Sequence, residues 1–406
     1  MTVKIETKSG VFEFQPAPGE SILFAGLAQG IMLPYECATG TCGTCRARVM
    51  SGTVDTRWDA APGFSKLKRD KGDVLMCQSY VNVAHQCVPQ GSEADAASSH
   101  ANGGGCVLRV PSDVRVADAR RPARLVGEIV AATRLTHDVM AFDLGLGAPM
   151  AFEAGQFVVV SVAGMAGGRA YSMVNYAPSS DRLKFVVKRK PGGGFSEWLF
   201  GADRCGARLD VFGALGRATF NPGEAHDLVV VAGGSGIAGM MSILDRATAA
   251  GHFTRHRGRV FFGVRTLADG FYLDELSRHV AQSGGAVEVT LVLSHETPPG
   301  PHHPAFPALK LGTGFVHEAA AAALAEGAPS SLLDRPEPAH LSGAGSAHPG
   351  GAGSAHPGGA GSAHLSGAGS ALAFVAGPPP MVDGAIRSLL TVARIPSRLI
   401  RFDKFG

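Results

Sequence analysis

Four cysteines offer the clearest chemistry in the 406-residue sequence. Cys37, Cys42 and Cys45 fall in one run, Pro34-Tyr35-Glu36-Cys37-Ala38-Thr39-Gly40-Thr41-Cys42-Gly43-Thr44-Cys45. The C-x4-C-x2-C spacing suits thiolates around a 2Fe-2S cluster whose fourth ligand lies far along the chain. Cys77, after the turn Asp70-Lys71-Gly72-Asp73, is the best candidate, and Cys87 is the runner-up. A loop that wraps a cluster must aim its backbone amides at the sulfurs, and Gly40 and Gly43 permit this. Structural zinc usually takes two close cysteine pairs, whereas this chain has one C-x2-C, an extra Cys five residues earlier and a lone distal Cys. Cys87, Cys106 and Cys205 carry no spacing signal and read as neutral thiols.

Two further groups could hold organic cofactors. A flavin needs a cation for its pyrophosphate, an aromatic face and a hydroxyl near the reacting nitrogen. Arg169, Tyr171 and Ser172 of Arg169-Ala170-Tyr171-Ser172 could supply them in that order, which makes Tyr171 and Ser172 candidates at the reaction centre. Pro191-Gly192-Gly193-Gly194-Phe195-Ser196 precedes a helix expected over Glu197 to Phe200. Free amides at a helix start favour phosphate, so Gly193, Gly194 and Ser196 join the set. Either element alone reads as a core aromatic or a plain loop; together they point to a flavin. Farther on, the apolar run Leu228 to Val231 enters Ala232-Gly233-Gly234-Ser235-Gly236-Ile237-Ala238-Gly239 and an apolar helix from Met240 to Leu244. Gly234, Gly236 and Gly239 fit G-x-G-x-x-G, with Gly233 beside them. The acid expected near the end of the next strand, Val260 to Gly263, is absent, and Arg265 could meet a 2'-phosphate or lie against an adenine.

Around these groups the chain divides into three. Val3/Ile5 and Phe12/Phe14 alternate about Thr7-Lys8-Ser9-Gly10, a hairpin, and a helix is expected after Gly19-Glu20-Ser21. The last strand of this part is expected at Val107 to Val110, after a Gly/Ser/Ala-rich stretch read as a mobile loop. Short strands punctuated by Gly and Pro follow, among them Phe152-Glu153-Ala154-Gly155-Gln156-Phe157-Val158, as in a small antiparallel barrel. The length suits two to four domains. A net charge of +3 without a Lys/Arg cluster excludes a nucleic-acid or polybasic membrane surface. No stretch approaches the ~18 apolar residues of a membrane span, so a cytoplasmic protein is expected. Seven cysteines, three of them crowded, suit metal ligation in a reducing compartment better than disulfides.

Residues 1–112, with the Tyr-Glu-Cys and Cys-Gly-Thr-Cys segments, resemble a plant-type 2Fe-2S ferredoxin domain. The Arg-x-Tyr-Ser and Gly-run pair resembles the flavin domain of the ferredoxin-NADP reductase superfamily. Pro191 to Ala207 is similar to the reductases of xylene-type and toluene-type monooxygenases, which points to FAD. Leu372-Ala373-Phe374-Val375-Ala376-Gly377-Pro378-Pro379-Pro380-Met381 resembles the C-G-P-P-x-M segment that packs beside the nicotinamide, with Ala376 in the usual Cys position next to the hydride path. Gly239 replaces a proline usual in these turns, and the terminal aromatic, Phe405, would lie near the flavin. The resemblance implies a multidomain α+β and α/β fold: a β-grasp ferredoxin domain (1–112, with 81–105 a flexible insertion), a linker (113–121), an antiparallel β-barrel FAD domain (122–223) and a parallel α/β nicotinamide-binding domain (224–406). It implies hydride transfer from NADH or NADPH to FAD and single electrons passed through the cluster to a terminal oxygenase acting on aromatic or small hydrocarbons. Gly377 and Pro378 would bind the nicotinamide. The protein is expected to be a monomer. Alternatives are a reductase for another acceptor, such as a sugar dehydratase, and a redox-sensing or binding module with little turnover.

Residues 1–112 hold ten basic and ten acidic residues, so net charge alone does not drive docking. Finally, four eight-residue units on the theme His-x-x-Gly-Ala-Gly-Ser-Ala run from His340 to Ala371 within a low-complexity insertion at about 334–371. Without large apolar residues such units cannot offset the entropy of ordering and read as a flexible loop expansion.

Overall fold

The computed structural model describes residues 1–81, 105–117, 120–326 and 371–404. Cys87, Phe405, nearly all of 81–105 and nearly all of the repeats lie outside the described residues.

The first unit contains β1 (Val3–Thr7), β2 (Gly10–Phe14), α1 (Ile22–Ala28), β3 (Arg46–Ser51), β4 (Val54–Thr56), β5 (Asp73–Leu75), β6 (Ser79–Val81) and β7 (Cys106–Arg109). β1 and β2 form the expected hairpin, with Thr7 opposite Gly10. Sheet order is β2-β1-β7-β3-β5, with β1 and β7 parallel, and β4 pairs with β6 apart from it. Ser21 starts α1 by accepting a hydrogen bond from Phe24 N–H, and Ile22, Leu23 and Leu27 join the core with Val3, Ile5 and Leu108. This is a β-grasp fold. The following segment is tied back to it: the Val114 amide donates to Ser9 Oγ at 3.2 Å, and the Met32 amide donates to Arg115 O at 2.9 Å.

The second unit contains β8 (Ala123–Arg134), β9 (Val139–Met150), β10 (Phe157–Ser161), β11 (Arg169–Ser172), β12 (Ser180–Lys188), α2 (Gly194–Gly201) and β13 (Arg208–Leu215). Its antiparallel order, β11-β10-β13-β8-β9-β12, curls until the end strands meet. Ile129, Phe142, Leu144, Phe185 and Leu209 fill the barrel. The helix expected from Glu197 starts three residues earlier, at Gly194, because the Glu197 amide already donates to Gly193 O at 2.8 Å. The glycine run therefore forms the helix start itself.

The third unit contains β14 (Leu228–Gly233), α3 (Ile237–Ala249), β15 (Gly258–Val264), α4 (Leu273–Gln282), β16 (Val287–Leu293), β17 (Lys310–Thr313), α5 (Val316–Glu326), β18 (Leu372–Gly377), α6 (Pro379–Thr391) and β19 (Ile400–Lys404). All six strands are parallel, in the order β17-β16-β15-β14-β18-β19. β14 and β18 are apolar almost throughout, as strands covered on both faces must be. The chain steps outward from β14 to β17 and then returns to β18. The crevice at the carboxyl ends of β14 and β18 is thus a topological switch point, where such sheets bind ligands. Among the described residues no helix is long and apolar enough to cross a membrane.

The units are locked together. Phe24 of α1 stacks on Phe212 of β13 with centroids 4.1 Å apart, and the Gly216 amide donates to Tyr35 Oη at 3.1 Å. Between barrel and parallel sheet, the buried Ser242 hydroxyl accepts from the Gly155 amide and donates to Gly239 O, each at 2.8 Å. Arg246 pairs with Glu153 across the same seam.

Candidate functional site

The cluster loop brings Cys37, Cys42, Cys45 and Cys77 to one place. Cys77, from the turn after β5, stands with its sulfur 3.3 Å from that of Cys45. The amides of Thr39 and Cys42 point at the Cys37 sulfur, at 3.5 and 3.3 Å, and the Thr44 amide points at the Cys42 sulfur at 3.4 Å. Gly43 has φ +85°, which lets the chain double back between Cys42 and Cys45. The Cys37 thiol is pushed down to about 4, first by the Cys42 thiol that donates to it and then by these amides. The Cys42 and Cys77 thiols are pushed up, each chiefly by its hydrogen bond with the neighbouring sulfur, that of Cys37 and of Cys45 respectively. The sulfurs stand as two hydrogen-bonded pairs, Cys37 with Cys42 and Cys45 with Cys77, and two thiol pairs with amides aimed at sulfur fit the two irons of a 2Fe-2S cluster.

Beside this loop lies a groove of about 440 Å³, lined on one side by Cys37, Thr39, Thr41 and Trp58 and on the other by Arg169, Tyr171 and the 192–196 run. Arg169 holds its guanidinium 5.9 Å from the Trp58 ring centre. Tyr171 is packed 5.2 Å from Phe195, and burial raises its pKa, so it stays protonated. Gly193 caps α2, its own amide donating to Lys190 O at 2.8 Å, and the first amides of the helix, from Gly194 on, favour a phosphate. Ser196 lines the groove but turns its hydroxyl to its own loop, accepting from the Lys190 amide at 3.0 Å. It shapes the phosphate cradle. Ser172 is buried and does not itself line the groove; it faces Gly239, where an added Cβ would come within 3.2 Å of Ser172 Cβ. A cationic, aromatic-walled groove ending in a helix start fits FAD.

At the switch point a cavity of about 580 Å³ is lined by Gly233, Gly234, Gly236, Arg265, Gly377 and Pro378, all six singled out from sequence. An added Cβ at Gly236 would lie 2.3 Å from Ala376 O, so only glycine lets the turn after β14 close against β18. Ala376 is 2% exposed and lines neither cavity; its place is beneath the turn, opposite Ala232. Arg265 donates to Asp138 at 2.9 Å and Asp269 at 3.0 Å, which neutralise it. Lys188 and Ser235 line both cavities, so the two are neighbours.

Sequence reading missed Trp58, Lys188, Asp138 and the exposed Phe315 at the second cavity. Lys188-Arg189-Lys190, a basic run beside the glycines, was the one available signal.

Three family models match in the same order: a 2Fe-2S iron-sulfur cluster binding domain at residues 6–82, an oxidoreductase FAD-binding domain at 127–220 and an oxidoreductase NAD-binding domain at 230–327. The ferredoxin–NAD(P)(+) reductase CarAd of Metapseudomonas resinovorans is 30% identical over 393 residues, covering 95% of each chain. The chain belongs to this reductase family. It is an NAD(P)H-dependent oxidoreductase whose cofactors are a 2Fe-2S cluster, FAD and NAD(P)H. The family also includes the ferredoxin–NAD(+) reductase component of an alkene monooxygenase system from Xanthobacter autotrophicus, 35% identical over 70% of this chain and 80% of its own. The electron transfer component XylA of a Pseudomonas putida xylene/toluene monooxygenase is 32% identical over 70% of this chain and 74% of its own. Among solved structures, a ferredoxin reductase in carbazole 1,9a-dioxygenase matches with a TM-score of 0.71 and 26% identity, over 100% of this chain and 99% of that one.

Proposed function

We propose that this reductase takes electrons from NADH and delivers them to a terminal oxygenase acting on aromatic or small hydrocarbons. We further propose that it works as a cytoplasmic monomer of three domains, 1–112, 122–223 and 224–406. One observation supports the reading: Lys188 and Ser235 line both the nicotinamide cavity and the flavin groove, and that groove reaches Cys37. FAD, when bound, supplies the conversion between a two-electron hydride donor and one-electron exits.

The protein's part is placement. Gly233, Gly234 and Gly236 admit a pyrophosphate to the switch point, while Gly377 and Pro378 form the wall for a nicotinamide. Arg169 and the start of α2 counter the negative charge of the flavin's phosphates. Tyr171 provides a ring face, and Ser172 a hydroxyl, at the seam with α3. NADH is the proposed donor because Arg265 is already neutralised, and a 2'-phosphate there would meet Asp138 and Asp269. The oxygenase acceptor rests on the relatives that serve such systems.

Replacing one cluster ligand tests the order of the path. Cys42→Ser should abolish NADH-driven reduction of cytochrome c and leave reduction of ferricyanide near the parent rate. Cytochrome c reduction that survived in Cys42→Ser would remove the cluster from the path.

A further inference from the structure

The cluster loop has two sides. Cys37, Thr39 and Thr41 line the flavin groove, so electrons arrive there. The other edge runs from Cys42, which is half-buried, to Thr44, which is exposed. What surrounds that edge is basic. Lys66 Nζ donates to Cys42 O at 3.0 Å, and Leu67 packs beside Gly43. Lys68 and Lys71 are exposed on the same segment, and Arg46 is exposed at the start of β3, next to Cys45. No ion pair engages any of these four among the described residues.

The acids nearby are partly committed. Asp73 is buried and paired with Arg48, and Asp59 is paired with Arg69, each at 2.8 Å. Glu36 accepts a hydrogen bond from the Thr44 hydroxyl at 3.0 Å but keeps its charge, and Asp70 is exposed; neither has an ion pair among the described residues. Of the ten basic residues in 1–112, seven lie between Arg46 and Lys71. The even overall balance therefore hides an uneven distribution, and the basic residues lie on the side that carries the exposed edge of the cluster loop.

We propose that the rim formed by Arg46, Lys66, Lys68 and Lys71 is the docking surface for the electron acceptor, and that the acceptor presents an acidic face to it. The inference rests on the electron-transfer reading above, because it takes the exposed edge of the cluster loop as the exit. Fields of one sign around an exit raise encounter rates and select partners by charge.

The test uses the holoprotein and two haem proteins of opposite charge, the acidic cytochrome b5 haem domain and basic cytochrome c. Binding is measured by surface plasmon resonance and NADH-driven haem reduction by absorbance, both at low and high salt. Cytochrome b5 should bind more tightly, and its binding and reduction should weaken as salt rises. Lys68→Glu/Lys71→Glu should weaken cytochrome b5 binding about tenfold and improve cytochrome c reduction. The visible spectrum and ferricyanide reduction should stay unchanged, since neither lysine touches a cofactor-binding residue. Arg46→Gln should give a smaller loss in the same direction. Tighter binding of cytochrome c by the parent, or cytochrome b5 binding indifferent to salt and to the double substitution, overturns the proposal. A protein that binds cytochrome b5 as expected while NADH reduces neither haem protein keeps the surface and sinks the electron-transfer reading.

Discussion

Arg169 faces a groove that must receive two phosphates, and among the described residues its guanidinium is held by Gly168 O at 3.0 Å and the ring of Trp58. Arg169→Ala should weaken FAD binding by about ten- to a hundredfold, the range expected when charge-assisted hydrogen bonds are lost. Flavin released on gel filtration would measure it; a variant that retains flavin like the parent would remove Arg169 from the pyrophosphate site. At this scale, legibility followed local spacing. Cys37, Cys42 and Cys45 declare themselves because one loop must carry three ligands, and the glycines at 233, 234 and 236 because a tight turn must precede a helix. Trp58 could not be read, since it owes its place in the groove to a loop from another part of the chain. Ser196 and Ala376 illustrate the converse. The sequence marks both positions, yet the structure turns one hydroxyl into its own loop and seals the other side chain under the turn.

The β14–α3 connection does double duty as an element. It lines the cavity with Gly233, Gly234 and Gly236, and Ser242 of the α3 that it leads into grips the barrel at Gly155. Ser242→Ala leaves the buried Gly155 amide without that partner, and losing a buried partner costs about 1–3 kcal/mol. Urea denaturation should show the loss, together with slower flavin reduction by NADH, because Gly239 of the same helix turn packs against Ser172. Unchanged stability would mean that another acceptor serves the amide. Strands and helices with strong patterns were legible, including the hairpin at Thr7 to Gly10 and the apolar β14 and β18. Ends were less so. β7 begins one residue before the expected Val107, and α2 takes in Gly194, which local propensity assigns to a loop, because the Glu197 amide reaches back to Gly193 O.

Across the whole molecule, three units meet at a cavity of about 250 Å³ lined by Tyr35, Glu36, Gly216, Arg217, Arg401 and Asp403 among others. Burial, and after it the nearby Glu36, pushes the Asp403 carboxyl from 3.8 up to about 7. Between these values the folded chain holds a proton that the unfolded chain has released, so stability falls as pH rises through that window. Asp403→Asn removes the penalty. The melting temperature of Asp403→Asn should exceed that of the parent at pH 8, and the gap should shrink toward pH 4; a gap independent of pH would place the raised titration elsewhere. This junction was not legible, because it is made by three distant segments whose sequences show nothing of one another. The architecture it joins was, since each sheet carries its own cofactor signature.

The two cavities and the cluster loop lie side by side, and an anaerobic titration of the holoprotein with NADH tests most directly whether electrons follow that order. Visible absorbance should show flavin and cluster bleaching together, complete at roughly one and a half equivalents, because FAD takes two electrons and the cluster one. Bleaching of the flavin alone at roughly one equivalent, with the cluster left oxidised, would contradict the account.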